Sequence, residues 1–166
     1  QFNETGLRLS ADMTPGIYKV LVDVCQRLKI DSTNILAYVY ASPEIQAGCY
    51  SADTSDCLIS FTSGLIELMS EDELAFVIGH ELGHFLPGDG ADMSSSDIST
   101  ENMIRQRCKE ISADRLGMLA CSSKDAAFRA LIKTTAGLSE TYLRFDVGTY
   151  LGQIRKSANG SGGVNE

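Results

Sequence analysis

The sequence predicts an α+β domain in which helices pack on a small, mostly antiparallel sheet. Three observations predict it. An apolar stripe at helical spacing follows Thr14-Pro15. Three short β-rich segments then lie between Ile35 and Thr62. From Gly64 onward the patterned segments read as helices. Strands grouped in one stretch and helices in another are the mark of an α+β arrangement rather than alternating β-α-β units.

Each element has a local reason. Residues 1–10 read as an irregular lead-in. Thr14 is a cap residue and Pro15 suits the first helical position. Ile17, Val20, Leu21, Val24 and Leu28 then recur on one helical face, so a helix is expected to about Leu28. Ile35 to Ala41 is rich in β-branched and aromatic residues and reads as a strand that Pro43 ends. Ile45 to Tyr50 and Cys57 to Thr62 read as two further strands, joined as a hairpin through the turn-like stretch Ser51 to Asp56. Gly64 to Met69 reads as a short helix. Ser70-Glu71-Asp72-Glu73 is a capping box that starts a helix from about Glu71 to Phe85, and Pro87-Gly88-Asp89-Gly90 stops it. A loop over 87–100 precedes a long helix from about Ile98 to Cys121. Two more helices are expected over Lys124 to Gly137 and Ser139 to Lys156. Residues 1–157 are expected to form one domain, and 158–166, rich in Gly and Ser, a disordered tail.

The bulk composition narrows the function classes. The 166 residues carry a net charge of −8, with 43% hydrophobic residues. An acidic chain offers no basic patch for phosphates, so nucleic acid is not an expected partner. No run of about 20 apolar residues is present, so no membrane span is read. No signal peptide is read at Gln1, and the chain is expected to be a processed product or an excised piece. The five cysteines, Cys25, Cys49, Cys57, Cys108 and Cys121, show no close C-x-x-C spacing. They read as reduced thiols of a cytoplasmic protein, with a Cys49–Cys57 bridge as the alternative for an exported chain.

The chain has only two histidines, and they stand four residues apart in His80-Glu81-Leu82-Gly83-His84. In a helix this spacing puts both imidazoles on one face, one turn apart. Both then reach a single zinc ion at about 2.0–2.1 Å. Glu81 between them is placed to act on a water at the metal. This H-E-x-x-H pattern points to metal-assisted hydrolysis of peptide bonds.

Two histidines do not complete a zinc site, which usually takes three protein ligands. With no third histidine, the remaining ligand has to be Asp, Glu or Cys. Glu110 and Asp114, four apart on the long helix, face one way. Glu110 can reach a metal while Asp114 accepts the N–H of a ligating imidazole. Asp89, Asp92, Asp97, Glu101 and Cys108 are rivals to Glu110, Cys108 being read as a core thiol. Arg115 or Lys109 is a rival partner for Asp114. The acidic loop from Asp89 to Asp97 reads as solvated, or else as a lid. Phe61 and the Tyr38–Tyr40 aromatics read as core.

The stretches F-T-S-G-L-I-E-L-M-S-E-D-E-L-A-F-V-I-G-H-E-L-G-H and E-I-S-A-D-R-L-G, within Phe61 to Gly117, resemble the gluzincin peptidases, and more closely the family of HtpX and the CAAX prenyl proteases. The resemblance implies a zincin-like (minimal gluzincin) fold and a zinc-dependent endopeptidase with one zinc ion per chain. It implies that His80, His84 and Glu110 are the metal ligands, Glu81 the general base and Asp114 the partner of a ligating histidine. The strand Cys57 to Thr62 would be the edge strand beside the cleft, with the histidine helix under it. Extended peptides or unfolded protein segments would add to that edge as substrate. The alternative is a non-catalytic or autoinhibited zinc domain that binds extended peptides the same way. Two departures stand out. Gln46-Ala47 replaces the Asn-Ala step usual in the family. The His-Pro step and arginine that members carry after the last helix, where they help stabilise the oxyanion, are not found. Tyr142, Arg144, Tyr150 and Arg155 remain as substitutes among which the sequence does not choose.

Overall fold

A computed structural model of the chain describes residues 6–51, 56–85 and 100–160, with backbone alone for 100–105. The elements run in the order β1 (Leu7–Arg8), α1 (Pro15–Leu28), β2 (Ile35–Tyr40), β3 (Ala47–Ser51), β4 (Cys57–Thr62), α2 (Ser63–Leu68), α3 (Glu71–Phe85), α4 (Thr100–Ala120), α5 (Lys124–Ala136) and α6 (Val147–Gly160). The α+β class is as expected.

The sheet is mixed. Its strand order is β1-β2-β4-β3. The two outer pairings, β1 with β2 and β3 with β4, are antiparallel, but the central one, β2 with β4, is parallel from Ile35↔Cys57 to Tyr40↔Thr62. After β2 the chain turns outward through 41–46, skips one strand position and returns as β3. The β3–β4 hairpin then fills the empty position, which makes β4 run with β2. This connection is pinned by Gly64 N–H to the Ser42 carbonyl (2.9 Å), Ser42 N–H to Ser63 Oγ (3.1 Å) and Gln46 N–H to Thr62 Oγ1 (3.1 Å).

One consequence corrects the expected cleft. Cys57–Thr62 is a central strand, bonded on both sides, and the edge strand of the hairpin is β3. The burial pattern agrees, since Cys57, Ile59, Phe61 and Thr62 are all buried whereas β3 ends in exposed residues.

One face of the sheet carries Ile35, Ala37, Cys57, Ile59 and Phe61 into a core shared with Val20, Leu21, Val24 and Cys25 of α1 and Leu74, Phe76, Ile78 and Leu82 of α3. The opposite face presents Tyr38, Tyr40 and Tyr50, which are half-buried or exposed, so among the predicted core aromatics only Phe61 is in the core. α3 is buried over most of its circumference, consistent with its nearly unbroken apolar sequence.

Three boundaries differ from expectation. Leu7–Arg8 forms a short strand on β2 within the stretch read as irregular, and the buried Leu9 extends it through a bond to the Ala37 carbonyl (2.8 Å). α5 ends where Gly137 takes a left-handed conformation (φ 66°). The last helix starts at Val147 rather than Ser139, because Asp146 accepts the Thr149 N–H (2.8 Å) as an N-cap while Glu140 is drawn to Lys133 (2.9 Å). α6 continues through residues 158–160, the start of the expected tail; 161–166 lie outside the described residues, as does the acidic loop with Asp89, Asp92 and Asp97.

Candidate metal centre

The centre is built by two antiparallel helices. α3 starts at the predicted capping box: Ser70 N–H donates to Glu73 Oε1 (2.9 Å) and Glu73 N–H to Ser70 Oγ (3.3 Å). Asp72, in the same turn, accepts Ser122 N–H (2.8 Å) and Ser122 Oγ–H (2.6 Å) just past the end of α4. The start of α3 is thereby fixed to the end of α4. Along the seam, a Cβ on Gly79 would meet Ala120 Cβ at 2.4 Å, and one on Gly83 would meet Ala113 Cα at 2.7 Å. A Cβ on Gly117 would meet the Phe76 ring at 2.8 Å. Small residues on both helices let the backbones touch, which draws the longer side chains beside the seam toward one point.

Those side chains are the predicted ones. His80 Nε2 and His84 Nε2 are 3.0 Å apart. Glu110 straddles them, with Oε2 at 3.6 Å from His80 Nε2 and Oε1 at 3.5 Å from His84 Nε2. These three side chains form the one group of metal-competent donors found among the described residues. Cys108 is exposed on α4 instead of lying in the core, and it is not part of the group. The Glu101 side chain lies outside the described residues.

The donor set fits a metal ion. Three donors at tetrahedral corners, about 2.0–2.1 Å from one ion, stand about 3.3–3.4 Å apart. The two Nε2 atoms are 3.0 Å apart and each has a Glu110 oxygen at 3.5–3.6 Å, a different oxygen for each ring; taken one atom per residue, the three donors lie within 4.8 Å of one another, close to that spacing. Protonation fits as well. The Asp114 carboxylate can only accept, and it lies 2.9 Å from His80 Nδ1, so Nδ1 carries a proton and Nε2 is the ring atom turned toward the other two side chains. Asp114 thus binds His80, not Arg115 or Lys109. Two imidazoles and a carboxylate suit a borderline divalent cation.

Glu81 projects from the same turn as His80 and is half-buried. Burial pushes its carboxyl above the ordinary range and Glu110 adds to this, while His80 and His84 pull the other way. α3 packs against β3, and Cys49 of β3 lies within electrostatic reach of Glu81. The histidine helix therefore does lie against an edge strand, but that strand is β3. Of the candidate oxyanion donors, Tyr150 lies edge-on against Phe128 of α5 (5.8 Å between ring centroids) and Tyr142 is 76% exposed. The site residues that sequence reasoning missed are the seam positions Gly79, Gly83, Ala113 and Gly117. Their signal was present as small residues at spacings of four on both helices.

Comparison with known proteins shows the family of the chain. Residues 14–104, more than half of the chain, match the sequence profile of Peptidase family M48, and the chain belongs to that family. The match takes in the histidine helix and stops short of Glu110 and Asp114. Protease HtpX of Xylella fastidiosa (strain M12) is 39% identical over 56 residues, covering 34% of this chain and 19% of the relative. Protease HtpX of Stenotrophomonas maltophilia (strain K279a) is 41% identical over 56 residues, again 34% of this chain and 19% of the relative. The matched segment is thus about a fifth of the length of these curated relatives. No solved structure matches the chain.

Proposed function

We propose that the chain is a zinc-dependent endopeptidase domain with a zincin-like fold, acting on extended peptides or unfolded protein segments. The observation that carries this reading is the convergence of His80 Nε2, His84 Nε2 and the Glu110 carboxylate, within 3.6 Å of one another, beside a half-buried glutamate. Family membership and the name of the HtpX relatives support it.

In this reading His80, His84 and Glu110 hold one zinc ion. Zinc bound there supplies Lewis acidity and lowers the pKa of a coordinated water to about 7. Asp114 keeps the His80 ring in one tautomer and one orientation. Glu81 takes the proton of the attacking water and returns it to the leaving amine. Proton transfer by a placed carboxylate is worth about 10²–10⁴-fold in rate. β3, the outer strand of the sheet among the described residues and packed on α3, is positioned to receive substrate as an added strand. No helix among the described residues is long and apolar enough to cross a membrane.

The test is cleavage of an unstructured protein such as denatured casein by the zinc-loaded chain. Cleavage that stops with a chelator and is lost in Glu81→Gln, while that variant keeps its zinc, is the expected result. Equal cleavage by wild type and Glu81→Gln would overturn the reading.

A further inference from the structure

Two thiols face each other behind the strand that borders Glu81. Cys49 Sγ on β3 and Cys57 Sγ on β4 are 2.9 Å apart. In the antiparallel register Cys49 stands opposite Ile59 and Ser51 opposite Cys57, so the two cysteines are diagonal neighbours on one face of the hairpin. That face is the one that meets the helices. Cys57 is fully buried and Cys49 half-buried. α3 packs on β3 and Cys49 lies within electrostatic reach of Glu81, so the pair sits between the sheet and the helix that carries both histidines.

The other thiols are engaged or placed differently. Cys121 donates to the Ser123 carbonyl (3.3 Å) and the Met118 carbonyl (3.6 Å). Cys108 is exposed on α4. Cys25 is buried on α1, where burial first and the charge of Cys57 second push its thiol up to about 11. Bonded sulfurs lie about 2.05 Å apart, so Cys49 and Cys57 need to close by only about 0.9 Å to form a bridge.

We propose that Cys49 and Cys57 are a disulfide-forming pair that fastens the edge strand β3 to β4 beside Glu81. The reaction is thiol–disulfide exchange with a disulfide oxidant of the glutathione class. Cys49, the more accessible thiol, loses its proton, and its thiolate attacks one sulfur of the oxidant. The oxidant's S–S bond breaks, one reduced thiol leaves, and a mixed disulfide remains on Cys49. The Cys57 thiolate then attacks the Cys49 sulfur and expels the second reduced thiol. Two protein thiols have lost two hydrogens, and one oxidant disulfide has become two thiols. The hydrogen bond shared with Cys57, and then burial, hold the Cys49 thiol above its ordinary range, so the thiolate is scarce and the exchange slow. Once formed, the bridge pins β3 to β4 at a residue within electrostatic reach of Glu81.

The inference does not rest on the peptidase reading, and its test reads no peptidase activity. The full chain is equilibrated with excess oxidised glutathione, free thiols are alkylated under denaturing conditions, and unreduced peptides are mapped by mass spectrometry. The expected product is a Cys49–Cys57 crosslinked peptide lighter by two hydrogens. A rise in melting temperature on the order of 5 °C should accompany it, and should be absent in Cys49→Ser, a change at the half-buried member of the pair. Alkylation of both Cys49 and Cys57 after equilibration would overturn the proposal. So would a crosslink from either to a different cysteine.

Discussion

Gly83 of α3 and Ala113 of α4 are in backbone contact, and a side chain on Gly83 would stand 2.7 Å from the Ala113 Cα. Each is followed directly by a residue of the centre, His84 on one helix and Asp114 on the other. The seam between the helices therefore sets the distance between the imidazoles and the carboxylates.

Gly83→Ala should accordingly weaken metal binding without touching a ligand. Alanine favours an isolated helix over glycine by about 1 kcal/mol, so any loss of stability has to come from the forced separation of α3 and α4. Overpacking of this kind costs about 1–3 kcal/mol. A lower melting temperature and a zinc dissociation constant raised at least about tenfold are expected from thermal melts and a competitive zinc indicator. Unchanged zinc affinity would show that the seam does not position the ligands.

Glu110→Ala should cost more zinc affinity than Asp114→Ala. The first removes a donor that lies 3.5–3.6 Å from both imidazole nitrogens. The second removes only the group that orients His80, an effect typically worth about 10–100-fold. Asp114→Asn keeps an acceptor for His80 Nδ1–H and should fall between wild type and Asp114→Ala. Indicator titration of the three variants gives the order directly, and the reverse ranking of Glu110 and Asp114 would exchange their roles.

The pattern of helices and the pairing of His80 with His84 and of Glu110 with Asp114 were legible because helical geometry is local: spacings of four fix which side chains share a face. That the two pairs meet across the helices is tertiary, and only the family resemblance implied it. The order of the strands was not legible. Only the family resemblance implied that Cys57–Thr62 is an edge strand, and nothing in its residues announces that the chain skips a position before β3. The start of the last helix was misread for a tertiary reason, since Leu138 and Tyr142 suggest a helix while Glu140 leaves the regular path to reach Lys133.

That lysine is the second feature sequence patterning hid. Glu73 serves the capping box and is also fully buried against Lys133 Nζ at 2.6 Å, with Arg129 Nε at 3.3 Å. Lys133 spends its other donors on the Leu68 carbonyl (3.1 Å) and Glu140 (2.9 Å). Lys133→Ala leaves a buried carboxylate short of its main partner and should lower stability by about 3–5 kcal/mol in urea unfolding. A loss under 1 kcal/mol would mean that Arg129 alone suffices for Glu73.

The same pair predicts the acid limb of stability. Burial by itself would raise the Glu73 carboxyl, but the bonds from Lys133 and Ser70 outweigh it and hold the group below the ordinary carboxylate range. A depressed carboxyl contributes stability that is present above the unfolded-state pKa and is lost as pH falls through the folded one. The melting temperature should therefore drop below about pH 4.5, and Glu73→Gln should flatten that drop while starting from a lower value at neutral pH. An acid limb of the same steepness in Glu73→Gln would assign it to other carboxylates.

The central claim is that His80, His84 and Glu110 together hold one metal ion. Elemental analysis of the purified, zinc-equilibrated chain tests it most directly, with His84→Ala measured alongside. Close to one zinc per wild-type chain and almost none in His84→Ala are expected, with a lower melting temperature in the variant because a metal bound only by the native state stabilises it. Near-equal zinc in both proteins, or none in the wild type, would contradict it.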